Sequence, residues 1–324
     1  MNKESGRPAL VLGASGGFGG ALAREMAARG WRVRLYGRSA ARLRQRFGEV
    51  GIETVNGDVQ DASMLAKAAE GCGVIVHGVN YPYHQWVPYL QTATLNVIAA
   101  ARASGATLLF PGNVYSLGPG AGVPIAETEP PRPNTRKGKF RLRLEGLLED
   151  AAKPAGEAPP IRVLTVRAGD YFGPTARNGI VDRLYGNAAR GKPITSFGRL
   201  DIVHERVFLP DLARASLDLL SLGGILAPYE VVNVTAEPHL SERAFMEAVA
   251  RASGHPGLEV KLMPWWLVRL IGLVNPVIRE FAELAYLYDT TVLLDGAKLK
   301  RLLPGFRFTP LDDALRQTIE SYRR

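Results

Sequence analysis

The sequence of 324 residues predicts an α/β fold, a doubly wound parallel sheet with a smaller C-terminal lobe. Two observations predict the sheet. Short apolar runs alternate with amphipathic stretches of helical period through the first half of the chain, and a glycine-rich segment at 13–19 separates the first run from the first such stretch. Strand–helix alternation at this spacing is typical of parallel strands connected by helices. After Gly173 and Pro174 the segments become less regular, which predicts the second lobe.

The predicted elements follow one another at regular intervals. Strands are predicted at Ala9–Leu12, Arg32–Tyr36, Ile52–Asn56, Val74–Val79, Thr107–Phe110, Ile161–Arg167 and Val231–Val234. Helices are predicted at Phe18–Arg29, Ser39–Phe47, Asp61–Glu70, Leu90–Ala103, Gly138–Ala152, Ile180–Arg190, Asp211–Leu222, Glu242–Ala252 and Pro276–Tyr288. Residues 1–172, with 200–235 returning to them, are predicted to form the core, and 173–199 with 236–324 the lobe.

Composition limits the classes of binding partner and the cellular location to be expected. The net charge is +9 and the pI about 9.7, so anionic partners are expected. The basic residues are scattered, without a stripe of interleaved aromatic residues, which argues against nucleic acid. Cys72 is the only cysteine, which excludes an intrachain disulfide or a thiolate metal cluster, and no metal site is predicted. The N-terminal apolar stretch is too short for a signal peptide and no run is long enough to span a bilayer, so a cytoplasmic protein without an integral membrane segment is expected.

The glycine-rich segment predicts a dinucleotide site. The pyrophosphate of a dinucleotide needs a tight turn, a backbone that approaches without a Cβ in the way, and helix N–H groups that point at the anion. Glycines alone often only make turns, but here they stand directly between a strand and a helix, as in the Rossmann-type fold. The predicted cofactor contacts in this segment are Gly13, Ser15, Gly16, Gly17, Phe18 and Gly19.

The end of the second predicted strand indicates which dinucleotide binds. A site selective for NAD usually places a carboxylate there to bond the ribose 2′-hydroxyl. This chain has Arg38 instead, and a guanidinium can bind the 2′-phosphate of NADP(H) through two hydrogen bonds. Arg42 is a second candidate. The alternative is that Arg38 is an ordinary surface arginine of a basic chain.

Residues after the third and fourth strands complete the predicted cofactor site. Asp58, followed by Val59, can accept from the adenine amino group, or it can cap the helix that starts near Asp61. Gly78, Val79 and Asn80 end the fourth strand, where the backbone must lie close to the cofactor. The aromatic residues that follow, among them Trp86, form either a wall of the substrate pocket or surface packing.

Three further segments carry a family resemblance: Thr94–Ile98, Arg167–Pro174 and His204–Ala213. With the glycine segment, and in this order, they resemble the extended short-chain dehydrogenase/reductases, the group of NAD-dependent nucleotide-sugar epimerases, dehydratases and reductases. The resemblance implies that Asn96, a predicted cofactor-site residue, helps to hold the active-site backbone. It also implies a small-molecule substrate bound by the C-terminal lobe, and it admits a homodimer.

The active-site positions depart from that family's pattern. The resemblance places Pro111 where the family has a serine, Lys137 where it has the catalytic tyrosine, and Arg141 where it has the lysine. An arginine does not shuttle protons, and Lys137 can do so only where its surroundings favour the neutral amine. Tyr115 is a substitute proton donor and Asn113 a group that can polarise a carbonyl. For each of these side chains, packing or structural hydrogen bonding is an equal alternative, as it is for Tyr171 and His204.

Two functions follow from these observations. The first is an atypical NADP(H)-dependent oxidoreductase or epimerase that acts on a small carbonyl or hydroxyl compound. The second is a non-enzymatic protein that senses NADP(H) and regulates a partner, since the glycine segment is intact while both catalytic positions differ. The segment Trp265–Ile271 allows contact with a membrane surface, although packing of the lobe or of a dimer is favoured.

Overall fold

The computed structural model describes residues 6–48, 51–119, 124–156, 158–177 and 179–323. The strands are β1 (Ala9–Leu12), β2 (Val33–Gly37), β3 (Ile52–Asn56), β4 (Val74–His77), β5 (Thr107–Asn113), β6 (Pro124–Ile125), β7 (Val163–Ala168), β8 (Asp170–Phe172), β9 (Ile194–Ser196), β10 (Arg206–Phe208), β11 (Tyr229–Asn233), β12 (Val260–Leu262) and β13 (Leu293–Leu294). The helices are α1 (Gly17–Ala28), α2 (Ala40–Phe47), α3 (Ala62–Ala69), α4 (Gln91–Ser104), α5 (Arg136–Ala151), α6 (Gly179–Ala189), α7 (Leu209–Ser221), α8 (Glu242–Ala252), α9 (Trp265–Gly272), α10 (Pro276–Ala282), α11 (Tyr286–Asp289), α12 (Ala297–Leu302) and α13 (Leu311–Glu320).

The chain divides into two compact units. The first comprises Met1–Gly112, Phe140–Arg167 and Leu212–Val232, and the second comprises Asn113–Lys139, Ala168–Asp211 and Asn233–Arg324. These bounds place 113–139 and 168–172 with the C-terminal residues, whereas the sequence predicted them in the core. The cofactor-binding and substrate-binding roles assigned to the two parts remain predictions.

A seven-stranded sheet in the order β11-β7-β5-β4-β1-β2-β3 organises the first unit and confirms the predicted α/β fold. Strand β1 pairs in parallel with both β2 and β4, β2 with β3, and β4 with β5. Strands β1 and β4 are buried along their whole length, as expected where helices cover both faces of a parallel sheet. The chain order reverses on either side of β1, so a crevice is expected at the carboxyl ends of β1 and β4.

The second unit has its own apolar core and three pairs of short parallel strands, β8 with β10, β9 with β12 and β6 with β13. Helices α6, α8 and α13 pack together around aromatic side chains, with the ring of Phe172 lying 5.4 Å from that of Phe208 and 5.9 Å from that of Phe245. Ser241 starts α8 by accepting a hydrogen bond from the backbone of Ala244 at 3.2 Å. These packed helices supply the stability that such short strands lack.

The prediction of one helix over Pro276–Tyr288 is wrong. The structure has α10 and α11 there, separated by a tight turn in which the backbone N–H of Leu284 donates to the carbonyl of Phe281 at 2.9 Å. Phe281, Leu284 and Leu287 are all buried, so the apolar spacing continues in a helical period across the break. Within the described ranges, no helix has the length and apolar character needed to cross a membrane.

Candidate functional site

The glycine-rich segment makes the tight turn that the sequence predicts. Gly13 has a φ of +72°, and a Cβ at this position would lie 2.2 Å from the carbonyl oxygen of Gly78. The backbone N–H of Gly16 donates to the carbonyl of Gly13 at 2.9 Å and closes the turn. The end of β1 and the residues after β4 therefore touch through backbone atoms alone, a contact that only glycine allows.

The start of α1 lies against the same turn. A Cβ on Gly19 would lie 2.6 Å from the carbonyl oxygen of Gly13, and one on Gly78 would lie 2.7 Å from that of Leu12. Gly16 precedes the first residue of α1 without a side-chain cap, and the first turn of the helix holds no acidic residue. A helix that starts at a glycine, with no acidic residue in its first turn and a tight glycine turn beside it, is suited to bind a phosphate group.

Basic side chains follow β2, beside this turn. Arg38 and Arg42 are exposed, and Ser39 caps α2 by accepting a hydrogen bond from the backbone N–H of Arg42 at 3.4 Å. Arg46, one helical turn beyond Arg42, donates to the carbonyl of Ser15 at 2.8 Å. Sequence reasoning missed Arg46, although its spacing of four from Arg42 puts the two on one side of α2. The basic end of β2 and the glycine segment thus belong to one surface of the first unit.

The segment after β3 is held by internal hydrogen bonds. Asp58 accepts from the backbone N–H of Gln60 at 3.0 Å, and the cap of α3 is Asp61, so the alternative role of Asp58 as a helix cap is wrong. Asn96 donates to the carbonyls of Val59 and Gln60 at 2.9 and 3.1 Å. Its amide therefore fixes this backbone segment, and its contact with a cofactor stays a prediction.

The segment after β4 packs against the interior of the first unit. Asn80 accepts a hydrogen bond from the indole of Trp86 at 3.0 Å, and Trp86 also donates to the carbonyl of Tyr81 at 2.9 Å. Trp86 is buried, with its ring 5.9 Å from that of Phe140. Of the two interpretations of the aromatic segment, packing therefore describes Trp86.

Arg141, in the position of the family's lysine, is buried in the first unit. Its guanidinium donates to the carbonyl of Pro111 at 2.5 Å and lies 4.8 Å from the centre of the Phe110 ring. A buried arginine above an aromatic face is stabilised by cation–π attraction. Pro111, in the serine position, has no hydroxyl to offer and contributes its carbonyl oxygen instead.

His77 lies next to this arginine and is fully buried at the end of β4. Its Nε2 is 3.0 Å from the hydroxyl of Thr94, and Nδ1 has no hydrogen-bond partner among the described residues. Burial, together with the positive charge of Arg141, lowers the pKa of His77 from 6.5 to about 3. The folded protein therefore keeps this imidazole neutral near neutral pH.

We expect His77 to make stability depend on pH. Between pH 6.5 and about 3 the unfolded chain binds a proton at His77 that the folded chain does not, so the free energy of unfolding falls as the pH falls through this window. At pH 5 the loss from this group is about 2 kcal/mol. Urea unfolding at pH 7.5 and pH 5 measures it: H77Q should lose less stability on acidification than the parent. The exposed histidine His84 gives the control H84Q, and equal pH dependence in all three proteins would contradict the expectation.

The remaining predicted catalytic residues belong to the second unit. Asn113 accepts a hydrogen bond from the backbone N–H of Tyr115 at 3.1 Å, and a Cβ on Gly138 would lie 2.3 Å from the carbonyl oxygen of Tyr115. The start of α5, with Lys137, therefore touches the turn that carries Tyr115. The structure thus brings the backbone of Lys137, Tyr115 and Asn113 close together within the second unit, and a catalytic role for these residues stays a prediction.

Lys137 forms a buried ion cluster that the sequence did not reveal. Its ammonium, only 4% exposed, donates to Glu280 and, at 2.7 Å, to Glu283, which also accepts from the backbone N–H of Lys137 at 3.1 Å. Burial works to raise the pKa of Glu283, but the hydrogen bonds and charge of Lys137 outweigh it and hold that pKa below its usual value. This arrangement suits Lys137 to positioning rather than to proton transfer.

His204 has a structural environment as well. Its Nε2 is 2.9 Å from Asp170, its Nδ1 is 3.1 Å from the carbonyl of Leu287, and its ring stacks on Tyr288 at 5.0 Å. Both ring nitrogens are thus engaged within the second unit, which favours the structural alternative for this residue. The described residues contain no group of histidine, cysteine and acidic side chains that could hold a metal ion.

Comparison with known proteins identifies the family. The model of the NAD dependent epimerase/dehydratase family matches residues 9–235, and the chain belongs to this family. No curated protein matches the sequence.

Solved structures of similar fold include UDP-glucuronic acid 4-epimerase from Bacillus cereus in complex with UDP-glucuronic acid and NAD, at 17% identity and a TM-score of 0.77 over 98% of this chain and 99% of that one. MoeE5 in complex with UDP-glucuronic acid and NAD is 22% identical, with a TM-score of 0.76 over 98% and 99% of the two chains. A putative epimerase from Burkholderia cenocepacia J2315 is 20% identical, with a TM-score of 0.75 over 99% of each chain. At these identities the likeness concerns the fold.

Proposed function

We propose that the chain binds NADP(H) and is an oxidoreductase or epimerase for a small carbonyl or hydroxyl compound. The observation that carries the proposal is the backbone-only contact between Gly13 and Gly78 beside the start of α1, whose first turn holds no acidic residue. A side chain at Gly13 or Gly78 would push the glycine turn away from the end of β4, and a turn this tight at the start of a helix fits the pyrophosphate of a dinucleotide. The family membership and the solved structures with bound NAD support a nicotinamide dinucleotide.

The preference for NADP(H) over NAD(H) rests on Arg38. It follows β2 directly, where a carboxylate would bind the ribose 2′-hydroxyl, and Arg42 and Arg46 add positive charge along α2. Arginine pairs with phosphate through two parallel hydrogen bonds. Two of the solved structures above were determined with NAD, so the proposed preference for NADP(H) rests on the residues of this chain alone.

Arg38→Ala is expected to weaken NADPH binding by about tenfold or more while NADH binding changes by less than about twofold, because a charge-assisted hydrogen-bond pair to the 2′-phosphate is lost. Parallel fluorescence titrations of the parent and variant measure both affinities. Arg44 is exposed on the opposite side of α2 from Arg42, so R44A is the matched control. Equal affinity of the parent for NADPH and NADH, or equal losses in R38A and R44A, would refute the assignment.

The proposed catalytic positions are Lys137, Tyr115, Arg141 and Asn113. A nicotinamide, when bound, supplies reversible hydride transfer at carbon. In this proposal Tyr115 exchanges the proton with the substrate oxygen, since its phenol can donate and accept. Lys137, held by Glu280 and Glu283, positions the start of α5. Arg141 supplies fixed positive charge, and the amide of Asn113 polarises the substrate carbonyl. The substrate class of the solved structures, UDP-sugars, is the first to screen.

A non-enzymatic role in NADP(H) sensing is the second candidate. The observation that favours it is the engagement of both departed positions within the protein, Lys137 by Glu280 and Glu283, and Arg141 by Pro111. Incubation with 4-deuterated NADPH and candidate carbonyl compounds separates the two functions. Deuterium in the product, lost in Y115F, supports the enzyme, whereas tight NADPH binding without transfer to any compound supports the sensor.

A further inference from the structure

Helix α9 and the turn after it present an apolar surface to solvent. Trp266 is 67% exposed, Leu270 55%, Ile271 42%, Leu273 76% and Val274 86%. We call these five residues the outer apolar face. Large apolar side chains scattered singly over a surface are ordinary, but five of them within nine consecutive residues form a contiguous patch, and such patches mark interaction sites.

The opposite side of α9 is already packed. Trp265 stacks on the ring of Phe281 at 5.5 Å and lies 5.7 Å from that of Tyr288, and Val268 is 6% exposed. The helix is therefore apolar on both sides, whereas a helix at the surface of a globular protein usually has a polar outer side. Packing, the interpretation favoured from the sequence, accounts for Trp265 and leaves Trp266 unexplained.

All charged residues in the segment that carries the outer apolar face are positive. Residues 261–279 include Lys261, Arg269 and Arg279 and no acidic residue. Arg269 and Arg279 are exposed, while Lys261 lies 3.7 Å from Glu259, just before the segment. The chain as a whole carries +9, so its average field adds to the same sign.

We propose that the outer apolar face binds the surface of an anionic lipid bilayer. Tryptophan is enriched at the membrane–water interface because its side chain combines an apolar ring with a polar N–H. Aliphatic side chains enter the boundary of the acyl chains, and arginines beside them attract anionic headgroups. This attachment is peripheral and needs no membrane-spanning helix.

A second copy of the chain is a less favourable occupant. A self-complementary contact of this segment would bring Arg269 and Arg279 of two copies together, and the segment has no acidic residue to neutralise them. Like charges juxtaposed in an interface oppose binding. An anionic bilayer offers its acyl-chain boundary to the apolar side chains and its negatively charged headgroups to the arginines.

Co-sedimentation of the full chain with vesicles tests the proposal. We expect binding to vesicles of equal parts phosphatidylcholine and phosphatidylglycerol, much weaker binding to phosphatidylcholine alone, and weakening by salt. The double variant L273S/V274S should lower the partition coefficient by about tenfold or more, because two apolar side chains no longer leave water. Both residues are exposed, so the fold should survive, and circular dichroism and thermal unfolding check this.

Ile225 is as exposed as Leu273, at 76%, and lies outside the segment, so I225S is the matched control and should bind as the parent does. Failure of the parent to sediment with the anionic vesicles would overturn the proposal. So would equal loss in I225S and the double variant. A dimer in size-exclusion chromatography that L273S/V274S dissociates, without vesicle binding by the parent, would show that a second copy covers the face.

Discussion

Gly13→Ala is expected to lower the free energy of unfolding by about 3–5 kcal/mol and to abolish tight NADPH binding. Two costs add together. Alanine is strained at a φ of +72°, and its Cβ would lie 2.2 Å from the carbonyl oxygen and 2.4 Å from the carbonyl carbon of Gly78. Both are backbone atoms of the segment after β4, so they cannot move aside as the end of a side chain can. Urea unfolding measures the first effect and fluorescence titration the second.

Gly30 provides a control that separates the two costs. Its φ of +75° matches that of Gly13, but a Cβ there would meet no atom within 4 Å. Gly30→Ala should therefore show the backbone strain alone, about 1–2 kcal/mol, with nucleotide binding unchanged. If Gly13→Ala were no more destabilising than Gly30→Ala, the close contact between Gly13 and Gly78 would be wrong, and with it the geometry proposed for the pyrophosphate.

The core sheet and the glycine turn could be predicted because their signals are local. Strand β1 has the predicted bounds because a strand buried on both faces requires a short unbroken apolar run. Strand β3 also has the predicted bounds, although it lies at the edge of the sheet and none of its residues is buried. The close approach of Gly13 to Gly78 follows from two glycines at the carboxyl ends of neighbouring strands. In β1 and at Gly13 and Gly78, the residue types in the sequence follow directly from the steric requirement that the structure shows.

The ion cluster of Lys137 could not be predicted in the same way. Its partners Glu280 and Glu283 are 143 and 146 residues away along the chain, and no period or motif connects them. The carboxylate of Glu283 is moreover placed by the turn between α10 and α11, which the apolar spacing concealed. The short strands β6, β8, β9, β10, β12 and β13 escaped prediction for a related reason, because two or three residues are too few to show a period of two.

Lys137→Met is expected to lower the free energy of unfolding by about 2–4 kcal/mol at pH 7.5, because it removes the buried cation of Glu280 and Glu283 in a poorly solvated site. The exposed Arg136, at 3.3 Å from Glu280 and 3.6 Å from Glu283, compensates only in part. The side chains of the two glutamates are 13% and 15% exposed, so water replaces the ammonium only in part. Lys139 lies two residues further on the same helix and is exposed. Lys139→Met is therefore the matched control, with an expected change within about 0.5 kcal/mol.

The pH dependence of the stability lost in Lys137→Met distinguishes a positioning role of Lys137 from a purely catalytic one. In the parent the pKa of Glu283 is held below its usual value of 4.5, so the ion cluster stabilises the fold above that pH and the stabilisation is lost as the pH falls below it. In K137M the carboxylate of Glu283 loses the buried ammonium, so burial is left to raise its pKa, and protonation relieves the poorly compensated charge. The gap in stability between K137M and the parent should thus shrink from pH 7.5 to pH 5. A variant that unfolds like the parent at both pH values but loses turnover would instead assign Lys137 to the reaction itself.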